Sequence, residues 1–531
     1  MNLQKYLITF FILNFVCLHS LAAFELPEID PDNSSLSSIS DFALNKVIFK
    51  GNHIFSDAEL NQVIKDYLNT NINPEQLQQL KNAITKYYID KGYINSGAVI
   101  PDQPVDKGVI RIKIVEGSLV EVQVSGNLRL NSDYIKARVK ANQALNLQDL
   151  QDGLQMLLED PLLKRINAEL KPGTALGEAI LNLKVEEDRP YTLQFNFNNY
   201  RSPSIGAYRS EVQAWHRNLT GSGDSLYVRY GLTKGLKDYT VKYDLPLNYN
   251  GTTLSFRVDR SDSEVIEFPF DQLDIESDAK IYSIGLRHPI INKPKESLEL
   301  GLNFEQRNSK SFLLGRPFSF SPGVNFGESN ISVIRFSQNY LNRGKEHVIA
   351  ARSVFNFGVD AFGATINDDG SPDSEFFSWL GQFQYVEQLT INSHMIFRTD
   401  VQLSDQSLLP LEKFSVGGFA SVRGYRENFL TRDNGVVSSL EWRISLKQLM
   451  NINTRLLEFV PFIDYGRAWN NNHNELQQLK HIYSAGLGLR WHPNQYIRSQ
   501  VYWGYALKDI PEQDNDNLQD KGIHFELSLV Y

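Results

Sequence analysis

From Tyr191 to Tyr531 helical periodicity disappears from the chain. Apolar and polar residues alternate instead, in segments of about nine to twelve residues. This is the period of strands with one face in an apolar medium and the other in a polar one. Sixteen such segments can be counted, near 191–199, 205–217, 224–232, 239–247, 252–260, 279–287, 297–306 and 329–338, then 347–357, 376–386, 394–404, 436–447, 456–465, 482–492, 496–505 and 522–531. Connections after even-numbered segments tend to be short, as at Asn248 to Gly251 and Asn342 to Lys345. Those after odd-numbered segments are mostly longer: 261–278, 307–328, 358–375, 405–435, 467–481 and 506–521. An even strand number with short turns at one end and long loops at the other predicts an all-β antiparallel transmembrane barrel over 189–531. A soluble sandwich or propeller predicts no such alternation of loop length.

Composition agrees with that reading. The chain has 24 tyrosines and 31 phenylalanines at a mean hydropathy of −0.32. This is too polar for a bundle of membrane helices, but a barrel's polar lumen dilutes its apolar exterior. The net charge of −9 gives no basic footprint for nucleic acid. Met1 to Ala23 reads as a secretory signal: Lys5, an apolar core from Leu7 to Leu18, and Ser20-Leu21-Ala22 at the cleavage site. The single cysteine, Cys17, lies within it, so the mature chain has no disulfide and a closed barrel must supply the stability.

Residues 24–43 carry Pro27, Pro31 and two serine pairs, and read as a flexible lead-in. Two similar units follow, over 44–117 and 118–188. The first has a strand at Lys46–Lys50, Gly51-Asn52, and a helix from Ser56 with Glu59 completing a capping box. A second helix runs from Asn73-Pro74 to Gly92, and strands follow at 97–100 and 109–115. The second unit has a strand at 119–124, Gly126-Asn127, helices from Ser132 and Asn146, and strands near 168–171 and 179–185. The same order at nearly the same spacing predicts a repeated β-α-α-β-β module ahead of the barrel.

In the last segment Phe525, Leu527, Leu529 and Tyr531 share one face, which predicts a lipid-facing row ending on an interfacial aromatic. The loop after the eleventh segment contains Ser421-Val422-Arg423-Gly424-Tyr425, and the thirteenth segment contains Phe462-Ile463-Asp464-Tyr465-Gly466. With Ile463 and Tyr465 facing lipid, Phe462 and Asp464 face the lumen. A lumen carboxylate is often only pore lining. The alternative is that the loop folds inside and Arg423 pairs with Asp464, guanidinium against carboxylate, while Gly424 lets the backbone approach the wall.

The Val422-Arg423-Gly424-Tyr425 run, the Phe462-x-Asp464-x-Gly466 run, the two modules, the sixteen segments and the aromatic end together resemble a two-partner secretion transporter. That family includes the secretion/activation porins of haemolysins and filamentous haemagglutinin, within the outer-membrane assembly-factor superfamily. The runs Asn218 to Tyr230 and Leu411 to Gly435 are similar to that family's barrel as well. The resemblance implies that the modules are periplasmic POTRA (polypeptide-transport-associated) domains and that the barrel lies in the outer membrane of a Gram-negative bacterium. It implies a haemolysin- or haemagglutinin-like exoprotein as partner, bound by the modules as an extended chain, and contact with outer-membrane lipid. It also implies that the last strand, with Phe525, Leu527, Leu529 and Tyr531, is recognised by the barrel assembly machinery. Arg423 with Asp464 would act as a latch, with no catalytic residue, cofactor or metal. Many family members begin with a pore-plugging helix. Residues 24–43 are too short and too rich in proline and serine for one, which leaves the arginine loop to close the resting pore.

Three other readings stay open from the residues. An assembly factor that inserts other barrels shares the superfamily but commonly has more modules. A surface enzyme lacks support from any Gly-x-Ser-x-Gly elbow, His-Glu-x-x-His site or phosphate loop. A passive diffusion porin would leave the two modules without a purpose.

Overall fold

The alternating segments close on themselves. The structure is a computed structural model that describes residues 41–139, 144–446, 456–471, 480–508 and 517–531. The signal-like stretch and most of the lead-in, 1–40, lie outside the described residues.

The first module carries helices α1 (Asp57–Val63) and α2 (Pro74–Asp90). Ser56 caps α1 through the expected reciprocal box: Glu59 N–H donates to Ser56 Oγ and Ser56 N–H to Glu59 Oε2. Asn73 and Gln76 do the same for α2, at 2.8 and 2.9 Å. Strand Lys46–Lys50 runs parallel to Val109–Val115, which has Gly97–Val99 on its other side. A further strand, Phe42–Leu44, pairs with Thr70–Ile72. The first strand therefore starts at Phe42, two residues inside the segment expected to be flexible. Three residues beside a proline- and serine-rich run gave too little alternation to see.

The second module repeats this plan with α3 (Ser132–Lys136) and α4 (Leu147–Leu158), capped by Asn131 and Asn146. Ser118–Ser125 runs parallel to Glu178–Glu187, with Leu163–Pro172 antiparallel on the far edge. That edge strand is ten residues long, longer than its apolar centre suggested. Its side chains are mostly exposed, which hides a strand from a reading based on burial. Leu130, Ile135, Leu157, Leu181 and Leu183 form the module's core. The module stands on Glu187, whose carboxylate accepts the N–H groups of Leu128, Arg129 and Leu130 at 2.7–2.9 Å. Burial pushes this carboxyl up, but the three N–H donors and Arg129 outweigh it and hold the group below the usual carboxylate range.

The barrel comprises β1 (Tyr191–Asn198), β2 (Arg209–Arg217), β3 (Ser225–Leu232), β4 (Leu236–Pro246), β5 (Thr253–Glu264), β6 (Ile275–Asn292), β7 (Glu296–Leu313) and β8 (Glu328–Arg343). It continues with β9 (His347–Val359), β10 (Phe377–Thr390), β11 (Ser393–Ser404), β12 (Asn434–Ser445), β13 (Leu456–Trp469), β14 (His481–His492), β15 (Ile497–Ala506) and β16 (Ile523–Val530). Every neighbouring pair is antiparallel, and β16 closes on β1 from Glu526 against Asn198 to Val530 against Gln194. Outward residues such as Leu193, Phe256, Ile284 and Ile463 form the apolar exterior. Leu527 and Leu529 are exposed in the same sense, and Phe525 packs on Phe197 with ring centroids 5.5 Å apart. Tyr531 lies one residue past β16, and Arg189 sits over its ring at 5.2 Å.

Strands β6 and β7 each run for 18 residues, well beyond the segments read at 279–287 and 297–306. The outward row of β6 changes from Leu286, Ile284 and Tyr282 to Lys280, Asp278 and Glu276, so the amphipathic signal fades while backbone pairing continues. The loops expected at 261–278 and 307–328 shrink accordingly. One connection breaks the long-loop rule: Thr233–Gly235, after β3, is a three-residue turn.

The second module fixes the sidedness, because it leads directly into the start of β1. Turns after even strands lie at its end, and Asn131 N–H donates to Gly221 O in the turn after β2, at 2.8 Å. The loop after β11 therefore belongs to the opposite, extracellular end.

Candidate functional site in the barrel lumen

The loop after β11 turns back into the barrel. Phe414–Val416 pairs with Leu430–Arg432, and this small ribbon carries the tip between them. Gly417 and Gly418, at φ +114 and +93, let the chain leave the ribbon. Val422 and Tyr425 are fully buried with Val416, Leu430, Val437, Ala468 and Ile482, so the tip brings its own small apolar core. Tyr425 Oη donates to Tyr483 O at 3.1 Å.

Arg423 is the polar centre of this core. Its Nε donates to Asp464 Oδ2 at 2.8 Å and its Nη2 to Asp464 Oδ1 at 2.7 Å, a two-bond fork. The Arg423 backbone N–H adds a third bond to Oδ2 at 3.0 Å. Nη1 reaches Glu441 Oε1 at 2.6 Å and Nη2 reaches Ser439 Oγ at 3.0 Å. The guanidinium lies 3.5 Å above the Phe462 ring and 5.0 Å from that of Tyr502. Arg423 is 2% exposed and Asp464 3%.

Strand register explains why these partners converge. Asp464 sits opposite Ser439 and Phe462 opposite Glu441, so all four face inward from adjacent strands. Gly466 follows on the same inward row. A β carbon there would lie 2.3 Å from Val416 Cγ1 and 2.7 Å from Val422 Cγ2. Gly424, at φ +94, lies against the backbone of Gly504 in β15, and its N–H points at His524 Nε2, 3.4 Å away.

Several participants were not singled out from the sequence. Glu441 is shared with Arg443, whose Nη2 donates to Oε2 at 2.8 Å. The inward row Ser439, Glu441, Arg443 was the available signal, three polar residues at alternate positions of one strand. Arg426 ties the tip to Glu267 at 2.7 Å and to Asp520, carboxylates from the loops after β5 and β15. Nothing local in the sequence marks these two, because they depend on which loops fold inward.

Comparison with known proteins decides the family. Residues 177–491, more than half of the chain, match the family model "Haemolysin secretion/activation protein ShlB/FhaC/HecB". The chain belongs to this family. Residues 42–117 match the POTRA domain of ShlB type, so the first module is a POTRA domain and the second repeats its plan. The chain is 23% identical over 449 residues to the outer membrane transporter CdiB of Dickeya dadantii, covering 82% of this chain and 77% of that protein. It is 20% identical over 470 residues to the heme/hemopexin transporter protein HuxB of Haemophilus influenzae, with 84% and 80% covered. The solved structure of CdiB from Escherichia coli superposes with a TM-score of 0.75 at 20% identity, over 95% of this chain and 93% of that one. Family membership and fold together make this protein an outer-membrane transporter of two-partner secretion.

Proposed function

We propose that this transporter exports one large, largely unfolded exoprotein, and that the Arg423 loop is the latch of its pore. The carrying observation is the buried fork between Arg423 and Asp464, with the loop held inside a closed barrel. A buried guanidinium bonded to three acceptor side chains is costly to assemble and more costly to leave half-paired. In this reading the pair holds the loop in the geometry from which the pore conducts, and the same loop closes the resting pore, so losing the pair costs both closure and secretion.

Capture of the partner is assigned to the free edges of the module sheets. An extended chain adds as a strand through backbone hydrogen bonds, with alternate side chains giving specificity. Leu163–Pro172 suits this role best, since it is ten residues long and, among the described residues, has no strand on its outer side. The periplasm supplies no nucleotide, so net movement comes from folding of the partner outside, which prevents return. The row Phe525, Leu527, Leu529 and Tyr531 is assigned to recognition by the barrel assembly machinery, before transport begins.

The test is deletion of the gene in a cell that co-expresses the exoprotein. Loss of the extracellular partner with other outer-membrane proteins at normal levels supports export. Normal secretion with general depletion of other barrels would replace this reading by barrel assembly.

A further inference from the structure

The latch loop carries a further buried charge ahead of its small ribbon. Glu412 closes the short 3-10 turn Pro410–Glu412 and is 8% exposed. Its carboxylate accepts from a single Arg335 nitrogen, Nη2, on both oxygens, Oε1 at 2.8 Å and Oε2 at 3.1 Å. Arg307 Nη1 lies 3.2 Å from the same carboxylate and donates to Leu411 O at 2.8 Å. Arg307 belongs to β7 and Arg335 to β8. Glu305, also on β7, accepts from Arg307 Nη2 at 2.9 Å and Arg335 Nε at 3.0 Å. Two guanidiniums of the wall thus face two carboxylates, Glu305 on the wall and Glu412 on the loop.

Around this group the loop is packed firmly. Leu408 and Leu409, 0% and 1% exposed, join Ile331, Val333 and Phe376. Gln402 Nε2 donates to Glu412 O at 2.9 Å and to Asp433 O at 3.0 Å, clasping the loop where it leaves β11 and where it returns toward β12. The Arg423 end is held by β12 and β13, between four and six strands further round the barrel. The loop is therefore tied at two separate parts of the wall.

We propose that Glu412 is a second positioning residue of the latch loop, fixing its β7–β8 end through Arg335 and Arg307 so that the resting block needs both anchors. This rests on the reading of the loop as the block. A purely structural role is the competing account: Glu305 would keep Arg307 and Arg335 in place without Glu412, and the pore would stay shut.

The experiment uses the full chain in planar lipid bilayers, comparing wild type with Glu412→Gln, Arg335→Gln and Asp464→Asn. Heat-resistant migration in detergent gels confirms that each barrel has assembled. The proposal expects Glu412→Gln and Arg335→Gln to raise the open fraction about tenfold, the response to a tenfold change in the loop's equilibrium. Glu412→Asp, which keeps the charge facing Arg335 and Arg307, should leave the pore shut. If Asp464→Asn opens the pore while the Glu412 and Arg335 variants leave it shut, the second anchor is wrong and the loop still blocks. If none of the three opens it, the loop is not the block, and both readings fall. Should Glu412→Gln not assemble, Arg335→Gln decides: an open pore supports the anchor and a closed one overturns it.

Discussion

Gly424 and Gly504 approach more closely than any side chain permits. A β carbon on Gly424 would lie 2.8 Å from the Gly504 carbonyl oxygen, and one on Gly504 would lie 2.7 Å from the Arg423 carbonyl carbon. Both obstacles are backbone, so neither can move aside. The tip reaches Asp464 only because loop and wall each lack a side chain at this crossing.

Gly424→Ala is therefore expected to push the tip out of its seat, with strain of about 1–3 kcal/mol from the positive φ alone. The midpoint of the heat-induced gel shift should fall and secretion with it. An unchanged midpoint and unchanged secretion would remove the close approach from the account.

Arg423→Lys keeps the charge and loses the fork. An ammonium cannot bridge both Asp464 oxygens while also reaching Glu441 and Ser439. Secretion is expected to fall about tenfold or more, as for a broken buried pair. Secretion at the wild-type level would mean that charge without geometry is enough.

Gly223→Ala should disturb the joint between the second module and the barrel. A β carbon at this position, where φ is +79, would lie 2.3 Å from Tyr134 Cε2. That ring cannot easily yield, because its Oη donates to Asp160 Oδ2 at 2.6 Å and Arg138 covers its face at 3.6 Å. The expected result is faster proteolysis between module and barrel, measured on the full chain, with the barrel itself intact.

Glu187→Gln should destabilise the second module at neutral pH by about 1–3 kcal/mol, the cost of losing a charged acceptor of three N–H groups. The sign with pH follows from a carboxyl held low in the folded state. Its contribution is complete above the ordinary carboxylate value and is lost as pH falls through the folded one. Wild type and variant should therefore converge in acid when followed by limited proteolysis of the full chain, and a constant gap would contradict the assignment.

Much of the architecture was legible because a barrel wall has two unlike solvents. Ile463 and Tyr465 against Phe462 and Asp464 show the alternation within one strand, and it fixes which carboxylate faces inward. The same logic failed at Glu276 to Lys280, where the outward row turns from apolar to charged while the strand continues. The Arg423 fork could be anticipated because motif and inward face each point to it. The Arg335–Glu412 contact could not, since 77 residues separate its partners and neither stands in a distinctive run. Long-range pairing between a loop and a wall depends on the loop's path, which local alternation does not encode.

The most direct test of the latch measures the secreted exoprotein and the transporter's outer-membrane level together, in wild type, Arg423→Ala and Asp464→Ala. The account predicts that both variants reach the membrane as folded barrels and that extracellular partner falls sharply in each. Secretion at the wild-type level from both variants, with the barrels present, would contradict it.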